Sequence, residues 1–275
     1  MNNTLYISDL DGTLLNNRAA LSAYAAENLL RLMGGGLHFT AATARTWESS
    51  RQILKELLPL PAPIVLQNGA LIYDTQTQYY VKKEIMLESQ VLEQLRIIHE
   101  YGQACVLYSI REDHMRLYHE GLADRPALRA FAASRKSIYG GQITYTRDLT
   151  EHAWEDIVYL MTQGAHSDLA PMRDAMEALP GTACLLYPDS YLPGNWYFEC
   201  FSARATKYHA ARFLRERYGY GRVVGFGDNL NDVPLFEACD EAWAVSNARA
   251  ELKAVATGII DSNEADGVVR FLCEL

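Results

Sequence analysis

Apolar and polar positions along the first eighty residues fall into a repeating order. The short apolar runs TLYIS (4–8), GLHFTAA (36–42) and PIVLQ (63–67) are separated by longer stretches with apolar residues at helical spacing. Those stretches are LSAYAAENLLRLM (21–33) and TWESSRQILKELL (46–58). Strand, helix, strand, helix, strand is the pattern of a parallel sheet wound with helices. The same style returns near the end, in NWYFECF (195–201), TKYHAARFLRERYG (206–219), RVVGFGD (222–228), DVPLFEAC (232–239), EAWAVS (241–246) and VVRFLCEL (268–275).

Between these two regions the pattern changes. A helix-like LESQVLEQLRIIHEYG (87–102), a strand-like ACVLYSI (104–110), a strand over 154–161, a helix near 168–179 and TACLLYP (182–188) read as a separate α+β unit. The expected fold is therefore α/β: a Rossmann-like parallel-sheet core made of residues 1–80 and 194–275, interrupted by an inserted α+β cap domain over 81–193. Pro188, Pro193 and Gly194 read as the return linker.

Composition narrows the function. The formal net charge is -9, and no dense Lys/Arg run exists, which argues against a general nucleic-acid surface. A small anionic ligand remains compatible, provided that a metal or a few cations are focused in one pocket. Five scattered cysteines without a CxxC pair suggest neither a disulfide framework nor a zinc knuckle, and fit a reducing cytoplasm. The chain start lacks a secretory pattern, and no apolar run reaches the roughly 18 residues of a membrane span. Gly34 to Gly36 end the first helix without a following Gly-Lys-Ser/Thr, so they are a turn and not a nucleotide P-loop.

In an open α/β sheet, ligands sit beyond the carboxyl ends of the strands. Four groups of polar residues occupy such places: Asp9 and Asp11 after the first strand, Thr43 after HFTAA, Lys207 after YFECFSARA, and GDNLND after RVVGF. Like charges as close as Asp9 and Asp11 repel, so a cation is expected to hold them. With Mg²⁺ present, one aspartate can ligate the metal while its other oxygen attacks phosphorus. The neighbouring aspartate can then donate a proton to the leaving group and accept one from water. Asp228 and Asp232, four apart, complete an oxygen-rich site if both face the same cleft. Simpler roles stand beside these: an acidic turn for DLDG, helix capping for Asp228, Asn229, Thr43 or Thr46, and a surface position for Lys207.

With these residues assembled, the chain resembles a haloacid dehalogenase-like phosphatase of the Cof-type group, the type IIB members with a C2 cap. DLDGT matches the first motif of that family, Thr43 the second, Lys207 the third, and Asp228 with Asp232 the fourth. The resemblance implies Asp9 as nucleophile and Asp11 as general acid/base. It implies a Mg²⁺ site of Asp9, Asp11 (through its main-chain carbonyl), Asp228 and Asp232, the last binding directly or through water. Thr43, Lys207 and Asn231 are implied as phosphate-binding residues. Ala44 and Tyr208 stand where the family usually has glycine. The implied substrate is a sugar phosphate or similar small phosphorylated metabolite, with the inserted domain selecting the leaving group and neither nucleic acid nor membrane as partner. Arg45 and Asn68, at expected strand ends, are the candidate substrate contacts. His114, His119 and the tyrosines around Trp196 read as ordinary polar or packing residues. Phosphoryl transfer between sugar hydroxyls would use the same core residues, and a non-catalytic sensor of phosphometabolites is expected to lack one of these carboxylates.

Overall fold

The computed structural model describes residues 3–122, 125–139, 143–189 and 192–275, without the side chains of 134–139. The chain opens with β1 (Thr4–Ser8), α1 (Ala23–Gly34), β2 (His38–Ala41), α2 (Trp47–Ile53), β3 (Ile64–Leu66), β4 (Leu71–Asp74) and β5 (Tyr79–Lys83). It continues with α3 (Glu88–Glu100), β6 (Val106–Arg111), β7 (His114–His119), α4 (Pro126–Tyr139), β8 (Ile143–Tyr145) and β9 (Ile157–Gly164). Then follow α5 (His166–Glu177), β10 (Thr182–Pro188), β11 (Trp196–Ser202), α6 (Lys207–Tyr218) and β12 (Arg222–Gly227). The last elements are α7 (Val233–Ala238), β13 (Glu241–Val245), α8 (Ala250–Lys253), β14 (Gly258–Ile260) and α9 (Gly267–Cys273). The chain divides into two compact units, 1–83 with 205–275, and 84–204.

The first unit is built on a parallel five-stranded sheet in the order β14-β13-β12-β1-β2. β1, TLYIS, lies inside the sheet between β12 and β2 and is almost wholly buried, as befits a parallel strand covered on both faces. One face packs Leu5, Ile7 and Val223 against Ala210, Ala211 and Leu214 of α6 and Leu235 of α7. Ser22 starts α1 by accepting the Ala25 N–H at 2.9 Å, and apolar spacing along the helix buries Ala25, Ala26 and Leu29.

The second unit carries a six-stranded sheet, β10-β11-β9-β6-β7-β8, antiparallel except for the β7–β8 pair. Val91, Leu95 and Ile98 of α3 and Leu169, Met172 and Met176 of α5 share a core with Leu107, Leu160, Phe198 and Cys200 of the sheet.

Two strands lie elsewhere than their patterns suggest. PIVLQ forms β3 of a separate antiparallel sheet with β4 and β5, joined to the end of β2 by one parallel bridge, Ala42 to Val65. A short apolar run does not say which neighbour it pairs with, and the hairpin partner at 71–74 was close by. NWYFECF forms β11, which pairs antiparallel with β10 and β9 of the second unit and not with the parallel sheet. Pro193 and Gly194 accordingly sit in the connection between β10 and β11, and the return to the first unit falls at 204/205. The alternation of Phe198 and Cys200 facing the α3/α5 core with Tyr197 and Glu199 on the other side is that of a strand covered differently on its two faces.

Candidate active site

Strand register brings the two acidic clusters together. β1 and β12 run parallel with Ser8 opposite Phe226, and the Asp9 N–H continues the ladder to Phe226 O at 2.9 Å. Asp9 thus leaves β1 beside the Gly227–Asp228 end of β12. This is also where the sheet order reverses, since β2 lies to one side of β1 and β12 to the other. Carboxylate oxygens of Asp9, Asp228 and Asp232 lie within 4.8 Å of one another.

Each member of this trio is held by a neighbour with a local reason to be there. Thr206 caps α6, its Oγ1 accepting the His209 N–H at 3.2 Å, and so fixes the helix start at Lys207. Lys207 is 1% exposed, and its Nζ donates to Asp9 Oδ1 at 2.5 Å and to Asp232 Oδ1 at 2.6 Å. The other oxygen of Asp232 accepts the N–H groups of Asp228 (3.0 Å) and Asn229 (3.1 Å), closing the turn that follows β12. Asn229 also caps that turn, accepting the Leu230 N–H at 2.8 Å, so capping and cluster assembly coexist here. Thr13 Oγ1 donates to Asp228 Oδ1 at 3.0 Å. Gly12 has φ +79°, and a Cβ there would lie 2.6 Å from Asp228 Oδ2, so the approach requires glycine.

Three carboxylates face one ammonium, which leaves the cluster short of positive charge. Burial pushes the Asp9 carboxyl well above its usual range; Lys207 opposes this, and Asp232 and Asp228 add to it. Asp228 is pushed up to about 6, by burial first and then by Asp232, against the Thr13 bond and Lys207. Burial alone would lower the Lys207 ammonium, but Asp232 and Asp9 outweigh it and the net shift is upward, so the lysine stays charged. Among the described residues, Asp9 Oδ2 and Asp228 Oδ2 accept no hydrogen bond. An all-oxygen donor set with surplus negative charge and two unused carboxylate oxygens suits a hard divalent cation.

The remaining predicted residues occupy the same end of the sheet in different company. Thr43 follows β2 and is buried; its Oγ1 accepts the Arg45 N–H at 3.1 Å and keeps its own proton to donate. Asn231 Nδ2 donates to Asn68 Oδ1 at 3.3 Å, which joins these two residues to each other and not to the carboxylates. The Asp11 side chain is outside the trio and pairs with Arg45 through Nε (2.7 Å) and Nη2 (2.6 Å). The Gln67–Asn68–Gly69 turn has positive φ at all three residues and is tied to the Thr43 loop by Asn68 N–H to Thr43 O (2.9 Å) and Gln67 N–H to Arg45 O (3.0 Å). A Cβ on Gly69 would lie 2.3 Å from Thr206 O, so this turn packs directly on the backbone that launches Lys207.

A family model of haloacid dehalogenase-like hydrolases matches residues 6–272. The chain belongs to the haloacid dehalogenase-like hydrolases. It is 26% identical over 270 residues to a 5-amino-6-(5-phospho-D-ribitylamino)uracil phosphatase of Bacillus subtilis, covering 97% of this chain and 95% of that protein. It is 24% identical over 271 residues to a pyridoxal phosphate phosphatase of Escherichia coli, covering 96% and 95% of the two chains. A crystal structure of a haloacid dehalogenase-like hydrolase from Bacteroides thetaiotaomicron shares the fold with a TM-score of 0.80 at 20% identity, over 98% of both chains.

In this haloacid dehalogenase-like hydrolase the two departures from the family pattern leave the cluster intact. Ala44 keeps a negative φ, so its methyl costs no backbone strain. Tyr208 lies along α6 toward Arg212, whose Nη1 donates to its hydroxyl at 3.3 Å, and lines a surface cavity with Arg215 and Glu237. Three further residues hold this end of the sheet without a role that the chain pattern predicts: Thr13, Gly69 and Asn247, whose Nδ2 donates to Gly12 O at 2.7 Å. Asn247 lies two residues past β13, so the rule that located Asp9 and Asp228 also points to it.

Proposed function

We propose that this haloacid dehalogenase-like phosphatase hydrolyses phosphomonoesters of small metabolites, sugar phosphates among them, with Mg²⁺ and through a phosphorylated Asp9. The observation that carries the reading is the buried ammonium of Lys207 bridging Asp9 and Asp232 inside a three-carboxylate cluster. Relatives that span nearly the whole chain are phosphatases of a ribitylaminouracil phosphate and of pyridoxal phosphate, which supports a small phosphorylated substrate. Five unpaired thiols are compatible with a reducing, cytoplasmic setting.

Mg²⁺, held by Asp9 and Asp228 with the Asp11 carbonyl and with Asp232 behind them, would supply charge neutralisation for the phosphoryl group. Lys207 holds the nucleophilic carboxylate in one orientation and favours its ionised form against the effect of burial. Asp9 attacks phosphorus, forming a carboxyl O–P bond as the ester P–O bond breaks, and Asp11 gives its proton to the leaving oxygen. Asp11 then takes a proton from water as that water attacks the phosphorus, which frees Asp9 and releases inorganic phosphate. Thr43 and Asn231, with Lys207, donate to the transferring oxygens.

The test is phosphate release from a panel of phosphorylated sugars, nucleotides and cofactors with Mg²⁺, with chelator, and with Asp9→Asn. Release that needs both the cation and Asp9 is expected. Turnover that survives Asp9→Asn would remove the mechanism.

A further inference from the structure

Asp11 is the expected catalytic carboxylate that the buried trio does not include. Its side chain, 49% exposed, meets the planar end of Arg45 in two parallel bonds, Nε to Oδ2 at 2.7 Å and Nη2 to Oδ1 at 2.6 Å. A fork-to-fork pair of this kind sets the plane of the carboxylate as well as its position, which a single ammonium does not. Arg45 is itself anchored. Its N–H donates to Thr43 Oγ1 at 3.1 Å, its carbonyl accepts the Gln67 N–H at 3.0 Å, and its Nη1 donates to Ser49 Oγ at 3.1 Å. The loop after β2 therefore presents the guanidinium at a fixed reach toward the turn after β1. Among the described residues no other group bonds the Asp11 carboxylate.

The arrangement has a chemical consequence. A proton donor is effective only from one place and orientation, which a freely rotating carboxyl does not hold. We infer that Arg45 is a positioning residue for Asp11: it fixes the plane and place of the Asp11 carboxyl so that this group meets the oxygen of the leaving group. This role is additional to the expected substrate contact of Arg45, and it rests on the assignment of Asp11 as general acid.

The test uses the full chain with Mg²⁺, as wild type, Arg45→Ala, Arg45→Lys and Asp11→Asn, on phosphomonoesters whose leaving groups run from p-nitrophenol to a simple alkyl alcohol. The value of kcat/KM reports the step that phosphorylates Asp9, in which an alkoxide needs a proton and nitrophenolate does not. Arg45→Ala is expected to lose at least about tenfold on the alkyl ester and less than about threefold on the nitrophenyl ester, a part of the roughly 10²–10⁴-fold that a general acid contributes. Arg45→Lys should fall between Arg45→Ala and wild type, because it restores charge without the fork. Equal losses on both esters, as a phosphate ligand or damage to the fold would give, overturn the inference, and so does no loss on either. Asp11→Asn should show the same contrast in larger measure; its absence there locates the failure in the assignment of Asp11 and not in the Arg45 clamp.

Discussion

The charge state of the carboxylate cluster predicts how a divalent cation stabilises the protein at different pH. Asp228 is pushed up to about 6, and Asp9 is shifted in the same direction by burial. In the cation-free chain these groups contribute stability that is fully present below the ordinary carboxylate range, about pH 4, and is lost as the pH rises through their raised values. Lys207, shifted upward, stays charged throughout this window and adds no slope. A cation binds the ionised carboxylates and must displace protons to do so. At about pH 5 only about one-tenth of Asp228 is ionised, against nearly all of it at about pH 7.5. Discounting for the solvent that reaches this residue, apparent affinity should fall about three- to tenfold, and Asp9 makes the fall steeper. Thermal unfolding with and without Mg²⁺ at the two pH values reads this directly. The cation should raise the midpoint more at the higher pH. An equal gain at both values, or a larger one at the acidic pH, would refute the electrostatic reasoning.

Other substitutions test single contacts. Lys207→Met leaves Asp9 and Asp232 buried without their cation and should destabilise the chain by about 3–5 kcal/mol in urea unfolding while abolishing turnover. Adding Asp232→Asn to that variant should recover part of the stability and none of the activity. Gly69→Ala places a Cβ against the Thr206 backbone at a residue with φ +108°, and should cost about 1–3 kcal/mol together with most of the phosphate release. Thr13→Val removes the bond that favours ionised Asp228, so the acid limb of the activity profile should move to higher pH, with about 1 kcal/mol lost from stability.

Much of the site was legible because it follows from one rule about parallel sheets. Asp9, Thr43 and Asp228 all stand at or just beyond the carboxyl ends of strands, and the apolar runs that precede them mark where those ends are. Lys207 was legible as the start of a helix after a polar stretch. The ion-pair partners were not. Whether Asp11 turns toward Asp9 or toward Arg45 is a choice of side-chain rotamer, and the chain pattern holds no information on it. The contact between Gly69 and Thr206 joins segments far apart in sequence, so nothing local to QNG announces it. Strand partners were similarly hidden. An apolar run such as PIVLQ pairs with a hairpin neighbour as readily as with a parallel one, and NWYFECF has the composition of either sheet. Register and pairing come from the long-range fit of side chains, which periodicity within one segment does not encode.

The account depends most on Asp9 becoming phosphorylated. The direct measurement is an acid quench of the Asp11→Asn variant during turnover with Mg²⁺, followed by mass spectrometry of the peptide containing residues 5–15. A phosphoryl group on Asp9, absent when the cation is chelated, is the predicted result. Phosphate on another residue, or a full rate of phosphate release from a chain that carries Asp9→Asn, would contradict it.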